Sequence, residues 1–385
     1  MRQGGKMLIA GLMAMAVAMP CHAQVGVTRS ESGSDGDGAT TRLESIGLDE
    51  VGVCAPVALP WAIKICGGAT RSGWGRMATS QAMGGVIALS AMLVTKHTAH
   101  CKRPDGSDDK SFFSGHSTIA FAGATMATRE LAWRSPWYSV GSYAVASAVG
   151  MQRVMSRRHY PVDVMTGAVV GIASAQLGYI IGDAIFGARN MDKNYRPSDA
   201  GAATTGPNLT LTTGLVFPIG RNVTLGDGRT LNRHIALRTA IDGSWAADEH
   251  WEIGGGVALT AMPVSLHGEP TVDEQMPRPM NEIELKVAPG YSRAVGQRVL
   301  LTARVGGGYA WRMHLHSMGG VQPTTGGAFG MAEVSASMPM TERLSFGLTA
   351  SYRVGSYGFT APWADESVKG TDHRIGIGLT TRVNF

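Results

Sequence analysis

Three short segments in the first half of the sequence place cations and histidines where they could bind an anion and react with it. The first segment runs from Lys96 to Arg103 and is followed by Pro104. Lys96 and Arg103 are seven residues apart, or two helical turns, so they share one face of a helix that Pro104 would end. Two cations on one face repel each other unless an anion joins them. The spacing therefore predicts an anion-binding pair.

The second segment, Ser114-Gly115-His116, precedes a run of residues with helical periodicity. Ser114 and Gly115 are expected where a loop opens a helix, and the backbone N–H groups and helix dipole at such a position favour an anion. Gly115 lets the backbone approach that anion closely. His116 would then lie beside it.

The third segment carries Arg153, His159 and Asp163. Pro161 breaks one helix and can begin the next, so His159 is expected at the junction between two helices. A carboxylate bonded to one ring nitrogen of His159 fixes the tautomer and makes the other nitrogen a better nucleophile. The four-residue spacing to Asp163 therefore predicts nucleophilic chemistry at His159.

Each segment has an ordinary alternative. A lysine and an arginine seven residues apart are usually a solvated face, Ser-Gly-His is usually a loop, and a histidine near an aspartate is usually a surface pair. The combination in this order within 68 residues is far more specific.

Together the segments resemble the three signatures of the type 2 phosphatidic acid phosphatase (PAP2) superfamily, which includes bacterial acid phosphatases and vanadium haloperoxidases. The family pattern is K-x6-R-P, then P-S-G-H, then S-R-x5-H-x3-D. The sequence departs from it at Phe113, which replaces the proline, and at Gln152, which replaces the serine. Neither change removes a charge or a catalytic atom, so we expect activity to be kept.

The resemblance covers about residues 45–190 and implies a helical phosphatase domain. It implies that His159 attacks phosphorus to form a phosphohistidine, that Asp163 orients His159, and that His116 exchanges protons with the leaving alcohol and with water. The groups that it implies for binding the phosphate oxygens are Lys96, Arg103, Ser114, Gly115 and Arg153. Such fixed charges stabilise the transition state without a metal. No cofactor is expected, because no paired-Cys or His-Glu-x-x-His ligand spacing occurs.

The two halves of the sequence have different periodicities. Apolar stretches with helical spacing lie near 51–66, 82–95, 117–133, 139–151 and 162–186, which predicts an all-α bundle over residues 44–190. After Pro207 apolar and polar residues alternate, which indicates strands near 208–218, 235–246, 251–263, 282–293, 298–312, 328–340, 344–355 and 374–385.

Short and long connections alternate between these eight strands, as in outer-membrane barrels with short periplasmic turns and long outer loops. Most strands also reach the length of about 9–11 residues that a tilted transmembrane strand needs. We therefore predict a multidomain α + β chain that ends in an eight-stranded antiparallel transmembrane β-barrel over residues 208–385. The alternative is a soluble up-and-down barrel or sandwich with the apolar face as its core.

Residues 1–23 have the pattern of a secretory signal peptide, and 24–43 and 191–207 are predicted as a flexible lead-in and a linker. We therefore expect the barrel in the outer membrane of a bacterial cell envelope and the phosphatase domain in the periplasm. The mean hydropathy of +0.01 disfavours a chain dominated by spanning helices. The net charge of +5 includes no Lys/Arg block, so no nucleic-acid partner is expected.

The expected substrate is a phosphorylated lipid, a lipid-linked pyrophosphate or a small phosphate ester. Two alternatives stay open at this point. One is vanadate-dependent halide oxidation in the same site, and the other is a barrel that acts as an adhesin or transport module beside an inactive helical domain.

Overall fold

Five α-helices precede a β-barrel in the part of the chain that the structure describes. The computed structural model describes residues 48–197, 205–225, 228–267, 276–313, 315, 321–360 and 368–385. The helices are α1 (Leu48–Ile65), α2 (Trp74–Thr98), α3 (Gly115–Leu131), α4 (Trp137–Met155) and α5 (Pro161–Phe186). The predicted signal peptide, the lead-in and part of the predicted linker lie outside the described residues.

Eight long antiparallel strands of the described segments close into the barrel. They are β1 (Asn208–Ile219), β4 (Ala236–Ala246), β5 (Trp251–His267), β6 (Arg278–Val295), β7 (Val299–Arg312), β9 (Gly326–Pro339), β10 (Leu344–Thr360) and β11 (Val368–Asn384). The barrel is closed because β1 pairs with both β4 and β11. Short strands β2 (Asn222–Thr224) and β3 (Thr230–Arg233) extend the sheet beside β5, and β8 (Gln322–Pro323) pairs with β10. The predicted fold class, a helical bundle followed by an eight-stranded barrel, is confirmed.

The barrel has two unlike ends. At one, which we name the turn end, strands are joined by the short connections 247–250, 296–298 and 340–343, and Asn208 and Phe385 also lie there. At the other, the loop end, the connections are 220–235, 268–277, 313–325 and 361–367. The predicted alternation of short and long connections is therefore present.

The barrel interior is filled by charged side chains. Glu282, which is 1% exposed, accepts hydrogen bonds from Nε of Arg312 and Nη1 of Arg374, both at 2.9 Å, and from Arg353. A cavity of about 20 Å³ beside Arg353 has room for about one water molecule. The barrel therefore has a packed interior, as its strand number predicts.

Apolar side chains cover the outer wall of the barrel. Exposed residues there include Ile253, Val257, Leu285, Val287, Val305 and Val334. Exposed aromatic rings lie near both ends, with Trp245 and Trp251 at the turn end and Trp311 towards the loop end. Charge inside and apolar side chains outside are typical of a membrane barrel. The soluble alternative required the apolar face to form a core, and the structure has the reverse arrangement.

We expect Glu282→Gln to lower the free energy of unfolding of the barrel by about 3–5 kcal/mol, because three buried guanidinium groups lose their shared carboxylate. Urea unfolding of the full chain in lipid vesicles measures this loss. The matched control is Glu342→Gln, at an exposed position in a turn, which should cost less than about 0.5 kcal/mol. Equal stability of the two variants would contradict the role of Glu282.

Helix α4 lies against the outer wall of the barrel over most of the height of β1. Its Trp137 ring is 5.8 Å from the ring of Phe385 at the turn end. Halfway along, Ser147 Oγ lies 2.7 Å from Thr213 Oγ1. Near the loop end, Val154 packs in the cluster that contains Leu215, Leu237 and Ala261. Helix α4 therefore runs from the turn end to the loop end, and the junction between α4 and α5 lies at the loop end.

Candidate active site

His159 occupies the junction between α4 and α5 that the sequence predicts. Pro161 is the first residue of α5, and Tyr160 before it has an extended backbone. The imidazole is 4% exposed, and its Nδ1 lies 2.8 Å from the carbonyl oxygen of Ser111. A carbonyl only accepts, so Nδ1 carries the hydrogen and donates it. The lone pair is therefore on Nε2, which is the tautomer that a nucleophile requires.

The carboxylate of Asp163 contacts the segments on either side of the His159 ring. Its Oδ2 is 3.8 Å from His159 Nδ1, which is longer than a hydrogen bond. That oxygen accepts from the hydroxyl of Ser111 and, at 3.0 Å, from the N–H of Tyr160. Ser111 thus stands between the carboxylate and the imidazole. It belongs to the site although no motif position marks it, and sequence reasoning missed its role.

Lys96 and Arg103 lie on different elements, Lys96 on helix α2 and Arg103 on the loop after it. The sequence predicts one helical face for both, but α2 ends at Thr98, because His100 takes a positive φ of 34°. The chain then folds back so that the N–H of Ser111 bonds to the carbonyl of Cys101 at 2.8 Å. The prediction of a shared helix face is therefore wrong, and a loop places Arg103.

Lys96 nevertheless contacts the same carbonyl as the imidazole, and the charge of Arg103 acts on the imidazole as well. Lys96 Nζ donates to the carbonyl of Lys110 and, at 3.4 Å, to that of Ser111, which also accepts from His159. Arg103 Nε donates to Asp108 Oδ1 at 2.8 Å. Burial is the largest cause that lowers the pKa of His159, and the charges of Lys96 and Arg103 lower it further. The nearby Asp163 carboxylate opposes this shift and raises the pKa of His159 in part.

The second segment opens a helix, as predicted. Ser114 is the N-cap of α3, and its Oγ accepts from the N–H of Ser117 at 3.4 Å. The N–H of Ser114 bonds to the carbonyl of Asp163 at 3.0 Å, which ties this helix start to the third segment. A Cβ at Gly115 would meet Met92 Sδ at 2.8 Å, so glycine permits the close approach of α2. His116 is half-buried in the first turn of α3.

Arg153 lies in the last turn of α4 and is 9% exposed. Its carbonyl accepts from the N–H groups of Arg158 and His159, at 3.1 and 3.2 Å. These bonds fold the chain after α4 back on Arg153. Arg157 Nη2 donates to the carbonyl of Pro104 at 3.4 Å, and Arg158 pairs with Asp105 at 3.3 Å. Arg157 and Arg158 thus hold the loop that carries Arg103.

Comparison with known proteins agrees with this geometry. Residues 60–185 match the family model described as the PAP2 superfamily. Residues 60–185 of this chain are therefore a PAP2 domain. A relative, the lipid A 1-phosphatase of Porphyromonas gingivalis, is 40% identical over 140 residues, which are 36% of this chain and 32% of the relative. The match therefore spans about a third of the relative's length.

Solved structures similar to this chain cover its other half. The outer membrane protein OprG from Pseudomonas aeruginosa is 12% identical and matches 49% of this chain and all of its own, with a TM-score of 0.36. Neisserial surface protein A is 10% identical, covering 48% of this chain and 99% of its own, with a TM-score of 0.31. Both TM-scores are low. The assignment of a barrel beside the PAP2 domain therefore rests on the pairing of its own strands.

Proposed function

We propose that this chain is a metal-independent phosphatase that acts through a phosphohistidine on His159. The observation that carries the proposal is the buried imidazole whose Nδ1–H is held by the carbonyl of Ser111, which also accepts from Lys96. The match of residues 60–185 to the PAP2 superfamily supports the reaction class. The cations supply the charge neutralisation that phosphoryl transfer needs.

The reaction has two steps. In the first, Nε2 of His159 attacks phosphorus, the P–O bond to the ester oxygen breaks, and His116 gives that oxygen a proton. Lys96, Arg103, Arg153 and the N–H groups at the start of α3 hold the phosphate oxygens. In the second step, His116 takes a proton from water, the water oxygen attacks phosphorus, and the P–N bond breaks to restore the lone pair on Nε2.

The proposed substrate is a phosphorylated lipid, because the relative from Porphyromonas gingivalis is named a lipid A 1-phosphatase. The exposed apolar wall of the barrel supports a location in the outer membrane. The periplasmic placement of the phosphatase domain, which the sequence predicts, stays a prediction.

Phosphate release by the purified full chain in detergent micelles tests this function. The substrates are lipid A, phosphatidate, undecaprenyl pyrophosphate and soluble p-nitrophenyl phosphate, each with and without a chelator. We expect at least one lipid to be hydrolysed with a higher kcat/KM than the soluble ester, and we expect the chelator to have no effect. Absence of release from every substrate would contradict the proposal.

The lowered pKa of His159 predicts the acid limb of the pH profile. A histidine with a lowered pKa stays neutral, and hence nucleophilic, at more acidic pH. The midpoint of the acid limb of kcat/KM should therefore fall below pH 6.5. Asp163→Asn removes a charge that raises this pKa, so it should move the limb further down. The measurement is kcat/KM against pH, corrected for the substrate's own second ionisation near about pH 6. A limb above pH 6.5, or an upward shift in Asp163→Asn, would contradict the assignment.

A further inference from the structure

We propose that the PAP2 domain lies within the outer membrane beside the barrel, with its phosphate site at the outer leaflet. Its substrate would then be a phosphorylated lipid of that leaflet, which reaches the site from the plane of the membrane. The substrate part rests on the function proposed above, whereas the placement rests on packing and charge alone.

The first observation is the surface that the helices cover. Strand register points Leu211, Leu215 and Leu237 outward, while their neighbour Arg238 points inward to Glu284. The outward residues pack against α4 and its neighbours in two buried apolar clusters. The same apolar wall is exposed on other strands, for example at Val257 and Val287. The bundle therefore covers a part of the wall that lipid would otherwise contact.

The second observation is a layer without charged side chains through the middle of the bundle. Helix α2 has none between Arg76 and Lys96, and α5 has none between Asp163 and Asp183. Each of these 19-residue intervals spans about 28 Å of helix. The hydrocarbon core of a bilayer is about 30 Å thick, and charged residues inside it are rare. The uncharged layer of the bundle is therefore about as thick as the hydrocarbon core of a bilayer.

Charged residues gather instead at the two ends of the bundle. The phosphate site forms one end. At the other, Lys64 pairs with Asp192 at 2.8 Å, and Asp183 pairs with Arg71 and Arg76 at 2.9 and 2.5 Å. Two polar ends separated by an uncharged layer are the expected pattern for a bundle that crosses a membrane.

The third observation is the uncovered face of α2. Five large residues on this helix are about half exposed or more: Trp74, Val86, Leu89, Leu93 and Val94. A helix at the surface of a water-soluble domain carries polar residues on its outer face. Helices α2 and α5 are both long and apolar enough to cross a membrane. The occupant that fits this face is lipid, because the barrel wall beside the bundle is also apolar and exposed.

The orientation follows from the direction of α4. This helix starts beside Phe385 at the turn end and finishes at the loop end, where Arg157 Nη2 lies 3.6 Å from Met276 Sδ, just before β6. Short turns of outer-membrane barrels face the periplasm, and long loops face outside. The phosphate site is therefore level with the outer leaflet headgroups.

The charge of the site end suits an anionic lipid. Residues 96–110 and 153–158 contain seven lysines and arginines and three aspartates. An excess of positive charge at headgroup level raises the local concentration of lipid phosphates. Because the site end of the bundle lies at the loop end of the barrel, this positive charge would face the headgroups of the outer leaflet.

Cysteine labelling in intact cells tests the placement. The probes are native Cys66 at the turn end, Val86→Cys in the middle of α2 and Ser156→Cys at the site end, all exposed in the structure. In the Val86→Cys and Ser156→Cys chains, the exposed free cysteines Cys54 and Cys66 are replaced by alanine, and in the chain that reports on Cys66 only Cys54 is replaced. A membrane-impermeant maleimide is applied before and after permeabilisation of the outer membrane.

We expect Ser156→Cys to react in intact cells, Cys66 to react only after permeabilisation, and Val86→Cys to react only after denaturation. Protection of all three in intact cells, followed by reaction of all three after permeabilisation, would place the domain in the periplasm and overturn the proposal. Reaction of Cys66 with protection of Ser156→Cys in intact cells would reverse the orientation and also overturn it.

The substrate claim has its own measurement. The full chain is reconstituted in vesicles, and labelling of Ser156→Cys selects those in which the loop end faces outward. The probe is the lipid phosphate hydrolysed fastest in micelles. We expect phosphate release when it lies in the outer leaflet, and release from the inner leaflet alone would overturn the claim. Failure of the proposed function is distinguishable, because it abolishes release in micelles and leaves the labelling pattern unchanged.

Discussion

Replacing His159 by alanine should lower kcat for a lipid phosphate by about 10⁴–10⁶-fold, the range seen when a nucleophile is removed. The reason is that His159 presents the unprotonated Nε2 that attacks phosphorus, while its Nδ1–H is held by the carbonyl of Ser111. Lys96 and Arg103 stay in place, so the KM should change by less than about tenfold. The measurement is steady-state phosphate release by the full-length variant in micelles.

The matched control for this variant is His97→Ala. His97 is also a histidine of the first segment, next to Lys96, but it is exposed on the last turn of α2. Its removal should leave kcat within about twofold of the wild type. A His159→Ala variant that keeps a tenth of the activity, or a His97→Ala variant that loses as much, would end the assignment of His159 as nucleophile.

Replacing His116 by alanine should slow the first step by an amount that depends on the leaving group of the substrate. Loss of a general acid costs about 10²–10⁴-fold when the departing alcohol needs a proton. A nitrophenolate leaves without one, so the first step with p-nitrophenyl phosphate should remain fast. The second step still lacks its base, and the phosphoenzyme should accumulate. We therefore expect a burst of nitrophenolate equal to the enzyme concentration, followed by slow turnover.

Stopped-flow absorbance measures this burst, and phosphate release from an alkyl phosphate measures the loss in the first step. The control is again His97→Ala, an exposed histidine in the last turn of α2 that should behave as the wild type. Equal losses for the alkyl and aryl substrates in His116→Ala, with no burst, would show that His116 does not exchange protons in either step.

Features of the molecule that depend on local chemistry were predictable from the sequence. Pro161 begins α5, and Ser114 caps α3, because proline and serine have strong preferences at helix starts. The alternation of apolar and polar residues located the strands, although β5 continues to His267, beyond the predicted end at 263. A single periodic signal fixes the type of an element better than its ends.

Features that depend on contacts between distant segments were not predictable. Ser111 joins Asp163 to His159 through a hydroxyl and a carbonyl, and no spacing in the sequence records such a bridge. Arg103 lies beyond the end of α2 because the backbone turns at His100, a conformation that residue type alone does not dictate. The packing of α4 on β1 was also missed, since its small and apolar residues suit protein or lipid contact equally well.

Trapping the phosphoenzyme tests the nucleophilic role of His159 directly. The full chain carrying His116→Ala is mixed with p-nitrophenyl phosphate, quenched in alkali, digested and analysed by mass spectrometry. We expect a phosphoryl group on the peptide that contains His159, stable in base and lost in acid, as a phosphorus–nitrogen bond requires. Its absence, its presence on a serine, or its persistence in the double variant with His159→Ala would contradict the phosphohistidine and the site built around it.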